Sequence, residues 1–253
     1  EDYAALHAWS VEEAEAFWRA AWSFLDLQGD PGDTVIDDLH QMPGASWFPE
    51  GRVSFAGTIL READDRPAIR ARGEHQSQWR IITRRELHEM VGAAAEAMRQ
   101  AGVVEGDRVV GYLPNIPETI VAMLAASTLG AIWSSCSPDF GVRGVLDRFE
   151  RLEPKLLVCC DGYAYGGKPI DCRPRTAEIL EALAKTAASA PQVVMVPFLD
   201  PDATTGVLPD AVRWDDFLQQ GEGVPPDLTP SPFGRPHYIM FSSGTTGLPK
   251  CIV

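Results

Sequence analysis

The apolar positions of "SVEEAEAFWRAAWSFL" recur at helical spacing, with Phe17, Trp18, Ala21, Trp22 and Leu25 on one stripe, which predicts an amphipathic helix. Ser10 stands three residues before Glu13, so that helix is expected to open on a capping box. Residues 28 to 51 are punctuated by Gly, Pro and Asp and predict irregular connection, after which "WFPEGRVSFAGTILREA" leads into a second short helix. Residues 1–60 are therefore expected to form an N-terminal extension.

From Pro67 the period shortens. The β-rich runs "AIRA", "WRIIT", "DRVVGYLP", "AIWSSC", "KLLVCCD" and "QVVMVPF" are interleaved with the helical runs "RRELHEMVGAAAEAMRQAG", "PETIVAMLAASTLG", "VRGVLDRFERLEP" and "TAEILEALAKTAASA". Thr83 with Glu86 predicts a capping box, and Gly102 a helix C-cap. Strands spaced by helices of about 10 to 15 residues predict an α/β fold, a mainly parallel sheet flanked by helices. The stretch from Leu199 to Pro236 is rich in Pro, Gly and Asp and reads as connection, with "RWDDFLQQ" alone helical. "HYIMF" then predicts a strand and the terminal "CIV" another, and a chain ending inside a strand is expected to be a piece of something longer.

Thr119 to Pro138 carries no charge over a span of membrane length. Gly130 interrupts it and "SSCSP" ends it, which predicts a buried helix running into a buried strand. No membrane association is expected.

Charge narrows the partners. Lys plus Arg number 22 against 36 acidic residues, so the net charge is 22 − 36 = −14, which repels a nucleic-acid backbone. A small polyanion remains open, since it needs only a few local cations and backbone N–H groups. The five cysteines, at 136, 159, 160, 172 and 251, form no C-x-x-C pair and are expected to be reduced thiols. Cys159 and Cys160 should point to opposite faces of a strand, and Cys251 should enter a buried one. With no basic-then-apolar leader in "EDYAALHAWS", the expected location is cytoplasmic.

Two glycine-rich loops offer chemistry. "SSGTTGLPK" supplies the hydroxyls of Ser242, Ser243, Thr245 and Thr246, the backbone freedom of Gly244 and Gly247, and the ammonium of Lys250. Nothing in it is acidic, so its natural guest is an anion such as a nucleotide's phosphates; a solvent-exposed turn is the alternative. "GYAYGGKP" matches the G-x-x-x-x-G-K core of a Walker loop, but Pro169 stands where that motif needs a hydroxyl. Lys168, Arg173 and Arg175 nevertheless cluster there, which marks a second candidate polyanion contact. His237 is expected to be solvated or to cap the following strand, and the "DFG" of "SPDFG" matches a kinase motif by chance.

"SSGTTGLPK" resembles the phosphate loop of the adenylate-forming superfamily. "ITRRELHEMVGAAAEAMRQAGVVEGDRVVGYLPNIPETIVAMLAASTLGAIWS" is similar to that superfamily's early helices and strands, and "WFPEGRVSFAGTIL" to the N-terminal segment of its short-chain acyl-CoA synthetases. Within that group "GAIWSSCSPDFG" is most similar to the acetoacetate-activating branch. The resemblance implies that residues 61–253 are the first part of an adenylation domain. It implies a reaction in which the carboxylate of acetoacetate attacks ATP with Mg²⁺, releasing pyrophosphate, and coenzyme A then displaces AMP. By the same resemblance Ser242, Ser243, Gly244, Thr245, Thr246, Gly247 and Lys250 hold ATP and the departing pyrophosphate. Tyr165, Gly166, Gly167 and Lys168 contact coenzyme A, with Tyr165 departing from the arginine that relatives carry. The catalytic lysine and the metal-holding residues are expected after Val253, with none in this chain. Another short-chain acid (acetate, propionate or butyrate), a non-catalytic α/β binding module and a P-loop nucleotidase stay open beside this reading.

Overall fold

The first helical stripe folds as two helices, α1 (Tyr3–Glu12) and α2 (Ala14–Phe24). In the computed structural model, which describes residues 2–186, 190–208, 210–242, 247 and 249–253, the expected capping box at Ser10 is not formed. The helix starts earlier, where the Asp2 carboxylate accepts the Ala5 amide at 3.0 Å. Ser10 therefore lies inside α1, and its hydroxyl donates back to the His7 carbonyl. Glu13, at φ −123° and ψ 55°, breaks the helix. Of the predicted stripe Trp22 is buried, whereas Trp18 and Leu25 are exposed.

Residues 28 to 51 hold only two-residue strands, as their composition requires: β1 (Gly29–Asp30), β2 (Ile36–Asp37) paired with β3 (Ser46–Trp47), and then β4 (Arg52–Val53) paired with β1. The short helix α3 (Phe55–Leu60) follows, capped by Ser54. A strand from late in the chain, β14 (Ser231–Pro232), pairs with the other edge of β4. Trp22, Val35, Ile36 and Phe48 form the core, and Phe233 joins it with its ring centroid 4.9 Å from that of Phe48. Glu1–Arg61 and Leu228–Arg235 together make one compact unit.

The second unit, Glu62–Asp227 with Pro236–Val253, opens on the antiparallel pair β5 (Pro67–Ala71) and β6 (Arg80–Thr83). Helix α4 (Arg84–Gln100) carries the predicted capping box, with Thr83 and Glu86 exchanging side-chain to backbone bonds, and Gly102 follows its end at φ +81°. Then come β7 (Arg108–Tyr112), α5 (Pro117–Thr128), β8 (Ile132–Cys136), α6 (Val142–Phe149) and β9 (Leu156–Cys160). The hairpin β10 (Gly162–Tyr165) and β11 (Lys168–Asp171) leads to α7 (Arg173–Thr186), β12 (Gln192–Val196), β13 (Val212–Arg213) and α8 (Trp214–Gln219). The uncharged span after Thr119 is the predicted buried helix and strand, and no described helix is long and apolar enough to cross a membrane.

The sheet order is β13-β12-β9-β7-β8, and all four pairings are parallel. One face buries Val110, Tyr112, Leu157, Cys159 and Met195 against Val145, Phe149, Ile179 and Leu183 of α6 and α7. Residues of the opposite parity, Val109, Leu156 and Val158, are equally inaccessible, so the other face is covered too, which parallel strands require. Cys159 joins the first cluster and Cys160 does not, so the vicinal thiols diverge as expected. From β7 the chain passes to β8 on one side and then to β9 and β12 on the other. Open α/β sheets bind ligands outside the carboxyl ends of their strands at such a reversal.

Candidate functional site

The run expected as one strand, "HYIMF", does two jobs. His237 and Ile239 exchange backbone bonds with Trp133 of β8 (3.0 and 2.9 Å), Tyr238 pairs with Trp133 in parallel, and the Ser134 hydroxyl donates to the Ile239 carbonyl at 2.7 Å. This run thus extends the sheet beyond β8 and leaves it at the carboxyl edge. Next, β15 (Met240–Ser242) turns back through the glycine-rich motif into β16 (Lys250–Ile252), antiparallel, with Ser242 opposite Lys250. Ser242 and Lys250 therefore flank the base of the loop, and Gly247 stands in the left-handed region at φ +93°. Ser243, Gly244, Thr245 and Thr246 lie outside the described residues.

His237, expected to be solvated or to cap the strand, is half-buried where it joins the sheet extension, and burial lowers its pKa. Cys251 is exposed rather than buried, since among the described residues β16 pairs with β15 alone.

The loop after β8, Ser137 to Gly141, meets this edge through a polar network. The Asp139 carboxylate accepts the Tyr163 hydroxyl at 2.7 Å and the Ser137 hydroxyl at 2.8 Å, and these bonds lower its pKa. Burial, then the bond to Asp139, pushes the Tyr163 phenol up to about 12. The buried Tyr112, last residue of β7, donates to the Phe140 carbonyl at 2.8 Å, and Arg175 donates to the Pro138 carbonyl at 2.8 Å. The Arg148 guanidinium lies 4.5 Å from the Phe140 ring centroid and 5.7 Å from that of Phe241 in β15. The "SPDFG" loop is thereby fastened to β7, β10, α7 and, through Arg148, β15 at the base of the glycine-rich loop.

"GYAYGGK" is a tight β-hairpin rather than an open surface loop or the strand-loop-helix of a Walker site. Tyr165 pairs with Lys168 across a two-residue turn, and Gly166 and Gly167 take φ of +59° and +75°, the conformation of a type I′ turn that glycine supplies without steric cost. Tyr165 and Lys168 project from its tip and are exposed. The predicted cation cluster is not one. Arg173 is paired with Asp171 at 2.8 Å and Arg175 is drawn inward to Pro138, which leaves Lys168 as the outward-facing cation of the three. Both turn amides are occupied: Gly166 and Gly167 donate to the two carboxylate oxygens of Glu74, at 3.2 and 2.6 Å.

Between the hairpin, the loop after β7 and the β5–β6 connection lies a cleft of about 180 Å³, lined among others by Arg72, Glu74, Arg80, Asn115, Glu118 and Tyr163. Glu118, buried in the first turn of α5, is paired with Arg80. Below the hairpin the buried Asp161 accepts three backbone amides, from Phe198 and Leu199 at Oδ1 (2.8 and 2.9 Å) and from Asp200 at Oδ2 (2.8 Å). Among the described residues no group of three or more His, Cys, Asp or Glu could hold a metal ion.

Glu74, Asp139, Tyr163 and Asp161 were not legible as site residues. Their partners lie 24 to 93 positions away along the chain, and no local pattern encodes such meetings. Asp139 and Tyr163 stood within recognisable motifs, "GAIWSSCSPDFG" and "GYAYGGKP", but nothing in either motif announced that the two side chains meet.

Residues 3–56 match the model of the acetyl-coenzyme A synthetase N-terminus, and residues 58–253 match that of the AMP-binding enzyme family. The chain is 43% identical over 252 residues to an acetoacetyl-coenzyme A synthetase of Rhizobium meliloti and 39% identical over 260 residues to one of Mus musculus. The solved acetoacetyl-CoA synthetase from Streptomyces lividans superposes with a TM-score of 0.87 at 39% identity. In all three comparisons the whole of this chain is covered but only 38% of the relative, so the chain spans well under half of their length. The match over residues 58–253, with the parallel sheet and the loops at its carboxyl edge, shows that the chain belongs to the AMP-binding enzyme family.

Proposed function

We propose that this chain is the N-terminal portion of an ATP-dependent acid:CoA ligase that activates acetoacetate. It comprises the extension typical of short-chain acyl-CoA synthetases (residues 1–60) and the first part of the adenylation domain (61–253). The observation that carries the reading is the β15–β16 hairpin. It sets Ser242 opposite Lys250 at the base of a donor-rich loop, on the edge where the loops after β7 and β8 also emerge. Adenylation requires the charge of departing pyrophosphate to be held while a carboxylate attacks the α-phosphorus. Pre-placed N–H groups, hydroxyls and one ammonium supply that hold at no reorganisation cost. In this reading Ser242, Ser243, Gly244, Thr245, Thr246, Gly247 and Lys250 grip the β- and γ-phosphates of ATP, and a Mg²⁺ ion accompanying ATP would supply further neutralisation of their charge. Coenzyme A then approaches along the hairpin tip, where Lys168 offers a phosphate its charge and Tyr165 offers a ring for adenine to stack on.

The relatives compared are acetoacetyl-CoA synthetases, which favours acetoacetate over acetate, propionate or butyrate. The test is acid-dependent pyrophosphate release by the full-length protein with each of the four acids. Acetoacetate is expected to give the highest kcat/KM; no release with any acid removes the ligase reading, and a preference for acetate moves the protein to a sister specificity. Lys250→Ala is expected to slow the first half-reaction while leaving the fold intact.

A further inference from the structure

The turn amides of Gly166 and Gly167 already hold an anion, and it belongs to the protein. The Glu74 carboxylate spans them with both oxygens, the bidentate manner in which a phosphate would sit on two convergent N–H groups. Glu74 is exposed and comes from the connection between β5 and β6, more than 90 residues away in sequence. The turn itself is open: a Cβ added at Gly166 or Gly167 would meet nothing within 4 Å. A two-residue hairpin needs no such brace, because consecutive positive-φ glycines already satisfy its geometry. The carboxylate thus sits on the amide of the residue next to Lys168, adding negative charge at the hairpin tip of a chain that already carries a net −14.

We infer that Glu74 is an internal competitor for the anion seat of the Gly166–Gly167 turn and so sets the protein's affinity for the phosphates of coenzyme A. The inference rests on the proposed coenzyme A contact at this hairpin. When a phosphate group arrives, the exposed carboxylate rotates away from the turn, and the two amides together with Lys168 take the phosphate oxygens. No bond is made or broken; one anion is exchanged for another.

The test uses the full-length enzyme with Glu74→Gln, Glu74→Ala and Lys168→Ala, its readout being KM for coenzyme A against KM for ATP and acid. Releasing two charge-assisted hydrogen bonds and one opposing charge is expected to lower KM for coenzyme A about three- to tenfold in Glu74→Ala, and less in Glu74→Gln, which keeps one acceptor. KM for ATP and acid should be unchanged in both. A KM for coenzyme A that is unchanged or raised in both Glu74 variants overturns the inference, a rise showing that the carboxylate braces the turn. Lys168→Ala tests the underlying reading separately. If it raises KM for coenzyme A while the Glu74 variants do nothing, the hairpin contact stands and the competitor falls. If neither residue matters, both fall. Repeating the Glu74→Ala comparison with dephospho-coenzyme A assigns the seat: the gain disappears if it takes the 3′-phosphate and persists if it takes the pyrophosphate.

Discussion

The carboxylate of Asp161 should be worth more to this protein than any exposed ion pair, and replacing it measures how the hairpin is held. Its side chain is 3% exposed and receives three amides at 2.8 to 2.9 Å, while its own carbonyl accepts the Cys172 amide at 2.8 Å. One residue thus joins the end of β9, the turn after β12 and the return of β11. Asp161→Asn can keep the two bonds at Oδ1, now to a neutral acceptor, but sets an NH₂ against the Asp200 amide. One lost charge-assisted bond plus that conflict costs about 2 kcal/mol. Asp161→Ala strands the Leu199 and Asp200 amides, leaves that of Phe198 with its bond to the Val196 carbonyl alone, and costs about 3 to 5 kcal/mol. At about 2–4 °C per kcal/mol for a unit of this size, the expected falls in Tm are about 4–8 °C for Asn and at least about 6 °C for Ala. Thermal unfolding followed by circular dichroism reads the totals, and amide hydrogen exchange reads the sites, with protection lost at Phe198, Leu199 and Asp200 before the sheet opens. A Tm for Asp161→Ala within about 2 °C of the parent, or unchanged exchange at those three amides, would refute the account.

Gly92→Ala in α4 should destabilise by about 1–2 kcal/mol in denaturant titration although alanine is the better helix former: the added Cβ would meet the Val224 carbonyl oxygen at 2.1 Å, and overpacking against backbone exceeds the propensity gain. Thr83→Ala removes one half of the capping box of α4 and should cost about 1 kcal/mol, measured the same way. Burial pushes the Cys136 thiol up from 9.0 to about 11. The folded state therefore favours the neutral thiol, and the stability from it is complete below pH 9 and lost as pH rises from 9 towards 11. Its alkylation by iodoacetamide should accordingly lag behind that of an unfolded control over that window, and equal rates would contradict the burial.

The local grammar of the chain was enough for its elements. Thr83, Glu86 and Gly102 announced both ends of α4, and the alternation of β-rich runs with helices announced a mainly parallel sheet flanked by helices, because capping and period are properties of neighbouring residues. Ser10 misled for the same reason: its spacing to Glu13 was right, but Asp2 had already started the helix. The composition of "SSGTTGLPK" likewise suggested an anion as its guest before any fold was known, whereas the cations expected to cluster around the turn at 166–167 are drawn apart by Asp171 and Pro138. What only tertiary structure decided is which distant groups meet those loops. Residues 228–235 join the N-terminal unit across more than 170 positions, Asp139 fastens to Tyr163, Asp161 gathers the turn after β12, and Glu74 fills the seat that the glycines make. A sequence prescribes donors and their spacing through local conformational preference, whereas the partner that reaches them is fixed by the topology of the sheet, which brings separate loops to one edge.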